Sequence, residues 1–198
     1  MTEGGAWSQF ARFNVDLNTA VAPDGHMNHP NMSFSPDGST GWVGFLGDLT
    51  GGNDGVFSPV LMSSTDGGAT WGTPIEIDLR AVPFIGDNAR SLQQELQAFA
   101  EMDSASALVG SGIPTCLFDF DITVDANGNP HLFTVVGNAG STPYSSNNDP
   151  AKLAIDLTSD DGGVTWKALK ISSVYANHAT IGNPNALPIL NYAQISRS

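Results

Sequence analysis

Asp119 and Asp121 stand two residues apart in the run Phe118-Asp119-Phe120-Asp121-Ile122-Thr123-Val124. In an extended chain successive side chains point to opposite faces, so the two carboxyls share one face while Phe118, Phe120, Ile122 and Val124 share the other. A carboxyl pair on one strand face falls near the roughly 5–9 Å separation used to cleave glycosidic bonds. Asp119 and Asp121 are therefore the candidate catalytic residues. Metal chemistry has weaker support. His26-Met27-Asn28-His29 has two imidazoles at a ligating spacing, but Pro30 follows and no third ligand is near, so no metal site is expected there. Asp125-Ala126-Asn127-Gly128-Asn129 has the oxygen-rich start of a calcium loop without its later Glu, and reads as a hairpin turn. Asp48 with Asn53 and Asp54 in the 47–57 loop offers further oxygen ligands. No cofactor is called for, and calcium is the one ion these loops suit. Cys116, the single cysteine, has no flanking His and is expected to be buried as a small apolar residue.

The elements that must position these groups are set by an internal repeat. Ser64-Thr65-Asp66-Gly67-Gly68-Ala69-Thr70-Trp71 returns 95 residues later as Ser159-Asp160-Asp161-Gly162-Gly163-Val164-Thr165-Trp166. Upstream, Asn31-Met32-Ser33-Phe34-Ser35-Pro36-Asp37-Gly38 returns at an offset of 90 as Asp121-Ile122-Thr123-Val124-Asp125-Ala126-Asn127-Gly128. Each unit reads as four short strands joined by tight turns. Strands are expected near 31–35, 41–46, 58–64 and 71–79, and again near 118–125, 130–136, 152–159 and 166–172. Within each turn the Ser and Asp side chains accept backbone N–H bonds, the glycines permit positive φ, and the closing Trp covers the apolar interior. Between the units, Leu92, Leu96, Phe99 and Ala100 follow helical spacing, which predicts one inserted helix near 88–103, capped by Asp87 or Asn88.

Topology then orients the molecule. In a four-strand meander the first and third turns lie at one end, and the second turn and the link to the next unit lie at the other. The long connections 47–57, 137–151, 80–117 and 172–186 are expected to gather opposite the Ser-Asp-Gly-Trp turns, where long loops on a rigid scaffold carry function. The offset of 90 pairs Asp119 and Asp121 with His29 and Asn31, and these four are the candidate ligand-binding residues.

The net charge of −13, from 20 Asp plus Glu against seven Lys plus Arg, repels nucleic acid and anionic membranes. No apolar run approaches the ~20 residues of a membrane-spanning helix, so membrane insertion is not expected. Residues 1–20 show no charged start followed by an apolar run, so no signal peptide is expected in this segment.

The pattern Ser-x-Asp-x-Gly-x-Thr-Trp resembles the Asp-box, or BNR, repeat of the sialidase-like superfamily. Both copies match at every fixed position: Ser64, Asp66, Gly68, Thr70 and Trp71, then Ser159, Asp161, Gly163, Thr165 and Trp166. The resemblance implies an all-β fold, a β-propeller of four-stranded blades. On that reading residues 1–20 hold the outer strand of a preceding blade, with Glu3-Gly4-Gly5-Ala6-Trp7 the tail of another such turn. Residues 29–79 form the first full blade, 80–117 the helical insertion, 118–172 the second full blade, and 173–198 the start of the next. Remaining blades of a longer polypeptide are then expected as partners. Sialidase catalysis needs three arginines, an acid Asp and a Tyr activated by Glu. The family's Phe/Tyr-Arg-Ile-Pro motif is absent, Arg12, Arg80, Arg90 and Arg197 have no matching context, and Tyr144, Tyr175 and Tyr192 show no paired Glu. No catalytic residue is carried over. The expectation is a scaffold or binding module of a secreted or cell-surface protein, taking carbohydrate or protein on the long-loop face. The alternative is part of a sialidase-like glycoside hydrolase.

Overall fold

The computed structural model describes residues 15–18, 30–50, 55–85, 91–96, 113–139 and 151–175. Its strands are β1 (Asn31–Phe34), β2 (Gly41–Gly47), β3 (Ser58–Ser64), β4 (Ile75–Glu76), β5 (Pro114–Val124), β6 (Pro130–Asn138), β7 (Ala151–Thr158) and β8 (Lys167–Tyr175). They form two four-stranded antiparallel meanders, β1-β2-β3-β4 and β5-β6-β7-β8. The chain is thus mostly β, with little helix among the described residues.

Alternation decides which face meets which. In the second sheet Phe120, Ile122, Val124, Leu132, Val136, Leu153, Ile155, Leu157 and Ala168 are buried and join one core with Trp42, Leu46 and Leu61 of the first sheet. β5 packs against β1 and β2. Gly44 makes room within its own sheet, since a β-carbon there would sit 2.3 Å from the side chain of Leu61 on β3, while the Phe120 ring of the second sheet would lie at ordinary contact, 3.5 Å. The sheets are also joined by backbone at one end, where Cys116 N–H donates to Phe57 O at 2.8 Å.

The two units differ in register. The first turn spans 35–40 in one sheet and 125–129 in the other, one residue fewer. Met32 therefore lies opposite Val43, whereas its counterpart Ile122 lies opposite Leu132. The position opposite Ser33 is Trp42, and the position opposite Thr123 is His131. A single deleted turn residue thus replaces an aromatic by an imidazole on the same face.

The fourth strand of the first sheet is shorter than the 71–79 expected. Gly72 N–H still bonds Ser63 O at 2.8 Å and Ile77 N–H bonds Pro59 O at 3.0 Å. Between them Pro74 has no N–H to give, so regular pairing is confined to Val60↔Glu76 and Leu61↔Ile75. The helix is present over 92–96. Its cap is Ser91: Gln94 N–H donates to Ser91 Oγ at 3.2 Å and Ser91 N–H to Gln94 Oε1 at 2.9 Å, the reciprocal Ser-x-x-Gln arrangement. Asp87 and Asn88, expected as the cap, lie outside the described residues, as do Phe99 and Ala100. Leu92 and Leu96 are buried in the common core. The link that carries the helix also differs from expectation. Residues 83–85 run beside the start of β8, with Ala168 N–H donating to Pro83 O at 2.9 Å and Ile85 N–H to Ala168 O at 2.8 Å. The link therefore covers part of the β8 edge, which would otherwise be open to pairing with another chain.

Candidate functional site

Among the described residues the repeated turn forms a dense polar network in both copies. Ser64 Oγ donates to Asp66 Oδ1 at 2.8 Å and accepts from Gly68 N–H at 2.9 Å. Asp66 in turn accepts from Thr70 N–H at 2.8 Å and from Thr70 Oγ1 at 2.7 Å. The second copy repeats this: Ser159 Oγ to Asp161 Oδ1 at 2.8 Å, Gly163 N–H to Ser159 Oγ at 2.8 Å, and Thr165 N–H to Asp161 Oδ1 at 2.8 Å. Gly67, Gly68, Gly162 and Gly163 all have positive φ. The first turn of the first sheet builds a smaller version, with Ser35 Oγ donating to Asp37 Oδ1 at 2.6 Å and Thr40 N–H to Ser35 Oγ at 3.0 Å.

These turns gather at one end. Gly67 N–H bonds Ser39 O at 2.9 Å, joining the first and third turns of one sheet. Trp42 Nε1 donates to Gly128 O at 3.1 Å, which brings the first turn of the other sheet to the same place. Trp71 meets Phe34 edge-to-face with ring centres 6.1 Å apart, while Trp166 reaches across to Trp42, also at 6.1 Å. The second closing Trp thus serves the joint between sheets as well as its own hairpin.

Hydrogen bonds from the Thr70 backbone, the Thr70 hydroxyl and Ser64 pull the Asp66 pKa down to about 2. The Thr165 hydroxyl and backbone do the same for Asp161, and Ser35 and Ser39 for Asp37, each again to about 2. Because these folded-state values lie below the ordinary 3.8, the turns' contribution to stability is complete above about pH 4 and is lost as pH falls through about 2. Thermal unfolding followed from pH 6 to pH 2 should show the melting temperature falling mainly in that window. Asp66→Asn and Asp161→Asn should each flatten the fall, and an unchanged slope in both variants would remove the turns as its source.

The proposed ligand residues are placed as follows. Asn31 Nδ2 donates to the Phe120 carbonyl at 2.7 Å, so its side chain ties β1 to β5. Asp121 Oδ1 accepts from Ile122 N–H at 2.9 Å. By alternation with buried Phe120 and Ile122, Asp121 lies on the face of β5 turned away from the first sheet. Asn31 and Asp121 are neighbours along the β1–β5 contact but address opposite sides of β5. Asp119 lies in β5 with its side chain outside what the structure describes, and His29 lies outside it altogether. Arg80 is held by its own neighbour Asp78, Nε to Oδ1 at 2.8 Å and Nη2 to Oδ2 at 2.9 Å. Cys116 is buried, and burial pushes its thiol up to about 12, which disfavours the thiolate form that a nucleophile needs.

Two features escaped the reading by motif. His131 Nδ1 and Asp156 Oδ2 lie 3.1 Å apart on the outer face of the second sheet, with Thr123 directly opposite His131. The pair is separated by 25 residues and depends on the register between β6 and β7, so only that alignment could have exposed it. A groove of about 450 Å³ opens between β4 and the second repeated turn, lined by Ile75, Ile77, Val82, Pro83, Val164 and Trp166. Its walls come from both sheets and from the link, which no single stretch of sequence displays.

Polar side chains buried in the opposite end are of another kind. Asp48, Ser58, Thr115 and Asn138 are each 1% exposed or less, at strand ends away from the repeated turns. Phe57 N–H donates to Thr115 Oγ1 at 3.2 Å, while Asp48 Oδ1 and Ser58 Oγ are buried without a hydrogen bond. Among the described residues no helix is long and apolar enough to cross a membrane. No protein-family model and no curated protein matches the sequence.

Proposed function

We propose that the chain is a segment of an Asp-box β-propeller acting as a scaffold or binding module of an exported or cell-surface protein. The observation that carries this reading is the duplicated Ser-Asp-Gly-Thr-Trp network at one end of two face-packed, four-stranded meanders. A propeller blade has that strand count and that antiparallel order. The Asp and Ser groups of those turns are consumed by their own backbone, which leaves them no reactive capacity. Ligand recognition is assigned away from the repeated turns, to the middle of β5, where Asp119 and Asp121 stand, and to the end beyond it, where the long connections leave the strands and buried polar atoms remain unmatched. The ligand class is carbohydrate or a protein surface.

The test is a glycan array probed with the purified chain, run beside a hydrolysis panel of aryl glycosides. Binding without hydrolysis, weakened by Asp121→Ala or Asp119→Ala, is the expected result. Hydrolysis abolished by either substitution would establish the glycoside hydrolase alternative instead. Neither binding nor hydrolysis by the chain would remove the carbohydrate reading and leave protein recognition, to be tested by binding to surface extracts before and after deglycosylation.

A further inference from the structure

Residues 15–18 cross the end of β2 as a short antiparallel ribbon with 48–50. Leu17 lies opposite Leu49, Asn18 N–H donates to Asp48 O at 2.9 Å, and Thr50 N–H donates to Asp16 O at 3.0 Å. Leu17 and Leu49 pack on the core. Alternation then brings Asp16, Asn18, Asp48 and Thr50 together on the other face. Their side chains are linked in the same cross-strand pairs: Asn18 Nδ2 donates to Asp48 Oδ2 at 2.8 Å, and Thr50 Oγ1 donates to Asp16 Oδ1 at 3.1 Å.

One member points to a ligand. Asp48 is 1% exposed, and its Oδ1 is buried with no hydrogen-bond partner. A carboxylate withdrawn from water is costly unless its oxygens are matched by hydrogen bonds or positive charge. The Glu76 carboxylate, which accepts from Leu49 N–H at 2.9 Å, adds further negative charge beside the ribbon. Asp16 and Thr50 are exposed whereas Asp48 is buried, so the ribbon face grades from solvent at one cross-strand pair to the interior at the other.

We propose that Asp16, Asn18, Asp48 and Thr50 form a binding site for a hard divalent cation of the calcium class, with main-chain carbonyls and water completing the shell. The donor set is oxygen throughout: two carboxylates, an amide and a hydroxyl. That composition suits calcium, which accepts carboxylate, amide, carbonyl and water oxygens in flexible geometry, and disfavours zinc or copper, which select nitrogen and sulfur. Among the described residues no three His, Cys, Asp or Glu side chains form a metal-holding group. A site with only two carboxylates therefore needs the neutral oxygens of Asn18 and Thr50. In the sequence the site is written as two short units, Asp16-Leu17-Asn18 and Asp48-Leu49-Thr50, brought together only by the ribbon.

Calcium should be titrated calorimetrically into the chelator-treated full chain, with thermal unfolding run in parallel. The expected result is one saturable site per chain, a raised melting temperature with calcium, and at least tenfold weaker binding in Asp48→Asn and in Asp16→Asn. Asp37→Asn, in a turn at the other end, should bind as the parent does. Asp16 is exposed, so its variant keeps the test decisive if Asp48→Asn fails to fold. No saturable binding, or binding unchanged by Asp16→Asn, overturns the site. Asp48→Asn that is more stable than the parent and indifferent to calcium overturns it as well, marking Asp48 as a strained carboxyl. The outcome is independent of whether the chain binds a glycan or a protein.

Discussion

Trp42→Ala is expected to destabilise the chain by about 3–5 kcal/mol, the range for truncating a fully buried large aromatic. Trp42 is 2% exposed, stands in β2 of the first sheet and packs against the second. Its ring stands edge-to-face with Trp166, and its Nε1–H donates to the carbonyl of Gly128. Truncation would remove the packing, strand the Gly128 carbonyl and expose a face of Trp166 at once. Trp42→Phe separates these contributions, because it keeps most of the apolar volume and loses the hydrogen bond, worth about 0.5–1.5 kcal/mol. Urea unfolding monitored by circular dichroism gives both values. A loss below about 1 kcal/mol for Trp42→Ala would mean the sheets are not joined through this residue, since cavity formation at a filled site costs more than that. A broadened or two-step transition would show that they can unfold separately once the joint is cut.

That residue also shows what could and could not be read from the chain alone. The hairpins were legible because they rest on local chemistry. Ser64, Asp66, Gly68 and Thr70 lie within seven residues of one another and bond as their types demand. The strand positions followed from alternation, and β3 and β7 stand close to where the pattern placed them. The role of Trp42 was not legible, because it depends on a cross-strand register set by turn length. One residue fewer in the 125–129 turn puts His131, not a tryptophan, at the matching place in the second sheet. The Ser91 cap was available as Ser-x-x-Gln but stood inside the span assigned to the helix, so earlier polar residues claimed the start. Of the four proposed ligand residues, Asn31 shows why repetition alone misleads. Its counterpart at the offset of 90 is Asp121, yet Asn31 is spent on the Phe120 carbonyl between the sheets while Asp121 faces away from them. Asp48 was visible as a possible oxygen ligand, but its partner Asn18 lies 30 residues earlier and is joined to it only by the fold.

Gly163→Ala is expected to be the most damaging glycine substitution in either repeated turn, and its neighbour supplies the control. Gly162 and Gly163 both have positive φ, 73° and 91°. An L-residue in that region pays roughly 1–2 kcal/mol in backbone strain alone. At Gly162 nothing lies within 4 Å of the added β-carbon, so strain is the whole effect. At Gly163 the β-carbon would fall 2.7 Å from the Trp42 ring and 3.3 Å from Ile75. The Trp42 ring cannot retreat easily, because it is wedged against Trp166 and bonded to Gly128. Overpacking of this sort adds about 1–3 kcal/mol, so Gly163→Ala should exceed Gly162→Ala by that amount. The first turn offers an internal comparison, since a β-carbon at Gly68 would meet Phe34 at 3.1 Å and belongs to a contact within one sheet. Pairing each glycine substitution with Trp42→Ala in a double-mutant cycle isolates the joint: Gly163→Ala should lose most of its excess cost when the indole is gone, and Gly68→Ala should not. Equal costs at Gly162 and Gly163 would show that the second turn does not press on the first sheet. The repeated motif would then act on its own hairpin only, and the packing of the two sheets would have to be sought along β5.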